Sequence, residues 1–91
     1  MVKVRVHIFV SGRVQGVFFR QNTKQQADNF GVKGWIGNLQ DGRVEAVFEG
    51  EEQDVKLLTE YCHHGPSYST VTKVDVALED YVGKFRDFET R

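Results

Sequence analysis

Apolar residues recur at two different spacings along this chain, and the order of those spacings limits the possible folds more than any other feature of the sequence. In three segments every second residue is apolar, which is the pattern of β-strands with one buried face. These residues are Val2, Val4, Val6, Ile8 and Val10, then Val44, Ala46 and Phe48, then Val74, Val76 and Leu78. A strand is also predicted from about 32 to 39, and the dipeptide Asp41-Gly42 after it strongly favours a hairpin turn. A short final strand is predicted within 85–90.

Two other segments have the spacing of a helix with one apolar face. Their apolar-face residues are Phe19, Thr23, Ala27 and Phe30 in the first and Val55, Leu58 and Cys62 in the second. Gly31 and the pair Gly65-Pro66 follow these segments, as is common where helices end. The order strand, helix, strand, strand, helix, strand predicts an α+β fold of the ferredoxin-like type, an α/β sandwich in which two helices cover one face of an antiparallel sheet. This βαββαβ unit, with the short extra C-terminal strand, accounts for residues 1–91 as a single domain.

The composition argues against several functional classes. The formal net charge is −1, whereas nucleic-acid-binding domains usually carry a clear basic excess. Cys62 is the only cysteine, so the chain can form neither an internal disulfide nor a cysteine-based zinc site, and a lone thiol fits a reducing compartment. No apolar run of the sequence reaches membrane-spanning length. We therefore expect a cytoplasmic protein, by default a monomer, that binds neither nucleic acid nor membranes.

The predicted topology brings two polar segments to one edge of the sheet. Strands one and two run parallel on either side of strand three, so the loop Ser11–Gly16 and the strand end at Asn38 meet at their C-terminal edge. No capping residue directly precedes the first helix, and the nearest candidate, Asn22, would start it later. The N–H groups from about 15 to 20 therefore lack an internal partner and favour an anion, to which Arg20 adds a guanidinium suited to phosphate. On these residues alone, a loop that only turns the chain remains the alternative.

Two motifs of the chain resemble signatures of the acylphosphatase family. The first is Gly12-Arg13-Val14-Gln15-Gly16-Val17-Phe18-Phe19-Arg20, and the second is Gly34-Trp35-Ile36-Gly37-Asn38, with Asp41-Gly42, Val44 and Gly50 at the family's spacings. The resemblance extends over essentially the whole chain, as far as Phe88-Glu89-Thr90-Arg91. Gly37 is a departure, because the family usually has a longer and often basic residue there.

The resemblance implies a ferredoxin-like enzyme that hydrolyses the carboxyl-phosphate bond of acyl phosphates and releases inorganic phosphate, without a metal or an organic cofactor. It also implies that Arg20 binds the phosphate together with loop amides, and that Asn38 orients the attacking water. The phosphate-binding loop implied in this way consists of Gln15, Gly16, Val17, Phe18, Phe19 and Arg20.

Three other functions remain open for a chain of this topology. An RNA-binding sheet would use exposed aromatic residues such as Phe9 and Trp35, but the aromatic-rich RNA signature and a basic charge are absent from the sequence. A non-catalytic module would bind a small anion without turnover. A domain serving a larger carbamoyl-phosphate-handling protein is the third, but we expect an independent protein because the chain has its own Met1. Cys62 is expected in the core, with a catalytic thiol as the alternative.

Overall fold

Residues 2–91 fold into five strands and two helices in the order that the sequence predicts. The computed structural model describes residues 2–91. Its elements are β1 (Lys3–Arg13), α1 (Phe19–Phe30), β2 (Lys33–Asn38), β3 (Val44–Glu51), α2 (Glu52–His64), β4 (Thr70–Glu79) and β5 (Phe88–Thr90). This order confirms the predicted ferredoxin-like α+β fold. Neither helix in the described part of the chain is long and apolar enough to cross a lipid bilayer.

The strands form one sheet in the order β4-β1-β3-β2-β5, so β1 and β2 flank β3 and both run antiparallel to it. The sheet is antiparallel as predicted except at the short extra strand, because β5 pairs parallel with β2. The cause is the path of residues 80–87. β4 ends beside the beginning of β1, and the chain then crosses the sheet at that edge, where the N–H groups of Val82 and Gly83 donate to the buried Glu49 carboxylate at 2.9 and 3.1 Å. It reaches β2 at its first residues and must therefore run in the same direction.

Both helices lie on one face of the sheet and bury the apolar stripes that the sequence predicts. Phe19, Thr23 and Ala27 of α1 are buried, and so are Val55, Leu58 and Cys62 of α2. They pack against side chains that alternate along β1 and β3, including Ile8, Val10, Val44, Ala46 and Phe48. Cys62 is fully buried, which confirms its expected place in the core.

Two features differ from the sequence prediction: where β1 ends, and how far the apolar side chains of β4 are buried. β1 does not stop at the first glycine but continues to Arg13 through a register shift between Ser11 and Gly12. Gly12 has a φ of 122°, and a Cβ there would lie 2.1 Å from the Thr70 carbonyl oxygen, so only glycine lets β4 approach this closely. The apolar residues of β4 are not buried as the alternation suggested: Leu78 is 80% exposed, because β4 is the outer strand at one edge of the sheet.

Candidate active site

The loop after β1 and the end of β2 meet at the same edge of the sheet and enclose a pocket of about 220 Å³. The pocket exists because β1 and β2 are parallel and only β3 separates them. Arg20 from the first turn of α1 and Asn38 from the end of β2 both line it. The remaining lining residues are Val14, Gly16, Phe18, Phe19 and Gln21. Residues that are far apart in sequence thus line one small cavity, and the guanidinium of Arg20 gives it a positive charge.

The loop 14–18 turns its main chain toward this pocket by alternating the direction of its side chains. Val17 and Phe19 point into the core, whereas Phe18 between them is 63% exposed. Gly16 and Phe18 both have left-handed backbone angles, with φ of 72° and 64°. In residues 2–91, the N–H groups of 15–20 have no hydrogen-bond acceptor. Consecutive unpaired N–H groups before a helix form a concave site that favours anions.

α1 begins without a side-chain cap, and this leaves its first N–H groups open. Phe18 occupies the N-cap position and makes no side-chain hydrogen bond to the helix. Of the two starts that the sequence left open, the structure has the earlier one, so Asn22 is not the cap. Asn22 lies within the first turn, where its N–H and its Nδ2 both donate back to the Phe18 carbonyl oxygen, at 3.0 and 2.8 Å. The amide therefore fixes the left-handed Phe18 and leaves the helix N-terminus to a ligand.

Arg20 is held by the last residue of the chain, which follows β5 beside the end of β2. Its Nη1 donates to the main-chain oxygen of Arg91 at 2.6 Å, and the Arg91 N–H donates to the Ile36 carbonyl oxygen at 2.7 Å. The Arg91 guanidinium lies 4.4 Å from the centre of the Trp35 ring, and a Cβ on Gly37 would lie 3.4 Å from the Arg91 Cβ. Gly37 thus leaves room for the chain that orients Arg20. A guanidinium has five N–H donors, so this contact leaves others available for an anion.

The hairpin that carries Asn38 is held from two sides. Within the turn, the Arg43 N–H and Nε donate to the Asp41 carboxylate at 3.0 and 2.8 Å, and these hydrogen bonds lower the pKa of Asp41. From outside, Gln15 Nε2 donates to the Leu39 and Arg43 carbonyl oxygens at 2.7 and 2.9 Å. The two hydrogen bonds from Gln15 therefore fix the end of β2, where Asn38 lies, relative to the loop.

Not every residue of the predicted loop lines the pocket. Gly16, Phe18, Phe19 and Arg20 do, but Gln15 directs its side chain at the hairpin and Val17 is buried in the core. Sequence reasoning missed Val14 and Gln21 as lining residues. The only signal for them is their position, since Val14 lies within the first motif and Gln21 directly follows it. It also missed the contact from Arg91 to Arg20, which no local pattern reveals because 71 residues separate the two. Among residues 2–91, no cluster of three or more His, Cys, Asp or Glu side chains is arranged to hold a metal ion.

Comparisons with known proteins assign nearly the whole chain to one family. The profile of the acylphosphatase family matches residues 6–90. An acylphosphatase from Haloarcula marismortui is 53% identical over 83 residues, which is 91% of either chain. Among solved structures, an acylphosphatase from Coxiella burnetii superposes with a TM-score of 0.91 at 37% identity and covers 98% of this chain and 93% of its own. An acylphosphatase from Bacillus subtilis superposes with a TM-score of 0.93 at 34% identity, over 97% and 98% of the two chains.

Proposed function

Because this chain belongs to the acylphosphatase family, whose members hydrolyse the carboxyl-phosphate bond of acyl phosphates, we propose that its pocket binds the phosphoryl group between Arg20 and the loop amides while Asn38 directs water at phosphorus. The observation that supports the proposal most strongly is that one cavity is lined by Arg20, by Asn38 and by a loop whose N–H groups have no acceptor in residues 2–91. The chain is accordingly an enzyme, an acylphosphatase that yields a carboxylate and inorganic phosphate.

The main demand of this reaction is stabilisation of charge. An acyl phosphate has a good leaving group, so the transition state is loose and spreads negative charge over the equatorial phosphoryl oxygens. The amides of 15–20 and Arg20 are fixed donors that need no reorganisation when this charge develops. The hydrogen bond from Arg20 to the Arg91 oxygen keeps the guanidinium in place before substrate arrives. Binding and catalysis thus use the same donors.

The role of Asn38 is to align the attacking water with phosphorus. A carboxamide has both a donor and an acceptor, so it can hold a water with a lone pair directed at phosphorus, opposite the departing carboxylate. Within the described part of the chain, the pocket lining contains no His, Asp or Glu to accept the proton of that water. A phosphoryl oxygen of the substrate takes it, and the products are the carboxylate and inorganic phosphate.

Arg20→Gln tests the phosphate-binding role. We expect turnover of benzoyl phosphate to fall below detection, at least about 10³-fold, because among residues 2–91 the substitution removes the only cation that lines the pocket. The protein should stay folded, as checked by circular dichroism, because the first turn of α1 is only partly buried. Arg86→Gln is the matched control, since Arg86 is exposed and distant from the pocket, and it should retain full activity. Near-normal turnover in Arg20→Gln would overturn the assignment.

Asn38→Ala tests the water-orienting role. The loss of one preorganised group should lower kcat by roughly 10²–10³-fold, while competitive inhibition by inorganic phosphate stays within about twofold of wild type. Asn29→Ala, an exposed position at the end of α1, is the control and should leave kcat unchanged. If the variant lost phosphate affinity and kept kcat, Asn38 would belong to the phosphate site instead.

We propose further that the activity needs no metal, because the guanidinium and the main-chain amides supply the positive charge at the phosphoryl group. Benzoyl phosphate hydrolysis should therefore proceed at the same rate with and without a strong chelator. A loss of activity that added Mg²⁺ restores would contradict this prediction.

The setting proposed for this enzyme is the cytoplasm, in monomeric form, with an acyl phosphate and inorganic phosphate as its partners. The lone, buried Cys62 and the net charge of −1 support a reducing compartment and no role in nucleic-acid binding. Salt-dependent RNA binding without phosphatase activity would favour an RNA-binding module, and phosphate binding without turnover would favour a module for small anions.

A further inference from the structure

Gln15 belongs to the phosphate-binding loop, yet its side chain turns away from the pocket toward the hairpin between β2 and β3. One hydrogen of its Nε2 is directed at the Leu39 carbonyl oxygen, at 2.7 Å, and the other at the Arg43 carbonyl oxygen, at 2.9 Å. In residues 2–91 these are the only hydrogen bonds that join 14–18 to 38–43. A single amide therefore connects the two halves of the site.

The two acceptors are the carbonyl groups at the mouth of the turn. The Leu39 N–H donates to the Arg43 oxygen at 2.8 Å, and the Gly42 N–H donates to the Leu39 oxygen at 3.2 Å. With the two hydrogen bonds from Gln15, both carbonyl oxygens accept two hydrogen bonds each, which is their full capacity. The residue immediately before Leu39 is Asn38, paired with Val44 at the last position of the β2–β3 ladder.

We infer that Gln15 is a positioning residue that sets the distance between the phosphate cradle and the water-holding carboxamide of Asn38. The inference rests on the proposed function, in which catalysis needs water and phosphorus in line. In the proposed function the pocket-lining amides next to Gln15 bind the phosphoryl group, while the Gln15 side chain fixes the strand end from which Asn38 projects. A shift of about 1 Å between reacting groups can cost up to about 10²-fold in rate. The loop thus binds one reactant and places the other.

Gln15→Met tests this role, because methionine keeps the length and bulk of the side chain but has no N–H donor. We expect kcat for benzoyl phosphate to fall about tenfold, with the inhibition constant of inorganic phosphate within about twofold of wild type. Gln25→Met on the exposed face of α1 is the matched control and should retain wild-type kcat. A rise in the phosphate inhibition constant with kcat unchanged would place Gln15 in phosphate binding alone and overturn the inference.

A double-mutant cycle with Asn38→Ala makes the test specific. If Gln15 acts through Asn38, Gln15→Met should slow the Asn38→Ala enzyme by less than about twofold, although it slows the wild type about tenfold. Additive effects would show that Gln15 acts elsewhere. The proposed function fails separately, if Asn38→Ala alone leaves turnover intact.

Gln15→Glu provides a variant of the same shape whose effect depends on pH. Its carboxylate would face two carbonyl oxygens at neutral pH, whereas its protonated form can donate one hydrogen bond. We expect its kcat relative to wild type to rise as the pH falls from about 7 to about 5. A pH profile parallel to that of wild type would contradict the positioning role.

Discussion

Gly34 shows how one residue can decide whether the site-bearing strand fits into the sheet. It lies in β2 with a φ of 140°, and a Cβ at this position would lie 1.9 Å from the Val47 carbonyl oxygen of β3. No rotation of a side chain can relieve a clash between a Cβ and a neighbouring main chain. The strand must therefore carry glycine here to pair closely with β3.

Gly34→Ala should lower the free energy of unfolding by at least about 3 kcal/mol, because it adds both a main-chain clash and an unfavourable φ. Gly42→Ala is the matched control, since Gly42 also has a positive φ, of 96°, but its Cβ would meet nothing within 4 Å. It should cost only about 1–2 kcal/mol. Urea unfolding measures both, and equal losses would show that backbone angle alone, not the approach of β3, matters at Gly34.

The sequence predicts the chemistry of the site at this scale better than its geometry. Arg20 and Asn38 stand out mainly because they lie in the two motifs that resemble acylphosphatase signatures, and the structure places both beside one pocket. The left-handed Phe18 could not be predicted, because its conformation comes from buried neighbours on both sides and from Asn22 behind it. Gln15 could not be assigned to the hairpin either, since its acceptors are main-chain groups that no side-chain pattern marks.

At the scale of elements, His7 joins three strands on the face of the sheet that the helices leave open. Its Nε2 contacts Glu45 of β3 at 2.6 Å, and its Nδ1 contacts Glu79 of β4 at 2.9 Å. Partial burial by itself lowers the pKa of His7, but the hydrogen bonds and charges of Glu79 and Glu45 outweigh it and raise the pKa. Arg5 also donates to Glu79, at 2.8 Å. The pKa of the Glu79 carboxyl is lowered first by this hydrogen bond from Arg5 and then by the one from His7. The charged imidazolium therefore has a carboxylate at each nitrogen.

This arrangement makes the stability of the sheet depend on pH. An unfolded histidine titrates near about 6.5, and the folded pKa is higher, so the stability contributed by His7 is complete below about pH 6.5 and is lost as the pH rises through the folded pKa. The difference in unfolding free energy between wild type and His7→Gln should shrink from pH 6 toward pH 9. A difference independent of pH would contradict the role of the charged imidazole.

The elements themselves were predictable where local spacing determines them. The stripes of α1 and α2 and the alternation in β1 and β3 appear as the sequence indicates, because each buried position repeats at a short interval. The exposure of β4 and the parallel direction of β5 were not predictable. The exposure of β4 depends on how far the helices cover the sheet, and the direction of β5 depends on how residues 80–87 cross its edge. Both are relations between segments that are distant in sequence.

At the scale of the whole molecule, the reactivity of the Cys62 thiol measures how well the folded core excludes solvent and reagents. The thiol lies beneath the helix layer, and burial raises its pKa to about 12. At pH 8 the folded protein should therefore react with a disulfide reagent at least about a hundredfold more slowly than the protein in concentrated guanidinium chloride. Activity should be unchanged after prolonged exposure of the folded protein. Fast modification with loss of activity would revive the alternative of a catalytic thiol.

The contact between Arg20 and the main chain at Arg91 has a consequence for how the enzyme forms. Segments at opposite ends of the sequence must meet before the guanidinium is fixed, and such long loops close slowly compared with helices and hairpins. During refolding, spectroscopic signals of helix should recover ahead of catalytic competence. If the proposed role of Arg20 holds, the protein becomes active only after the segment that follows β5 has docked.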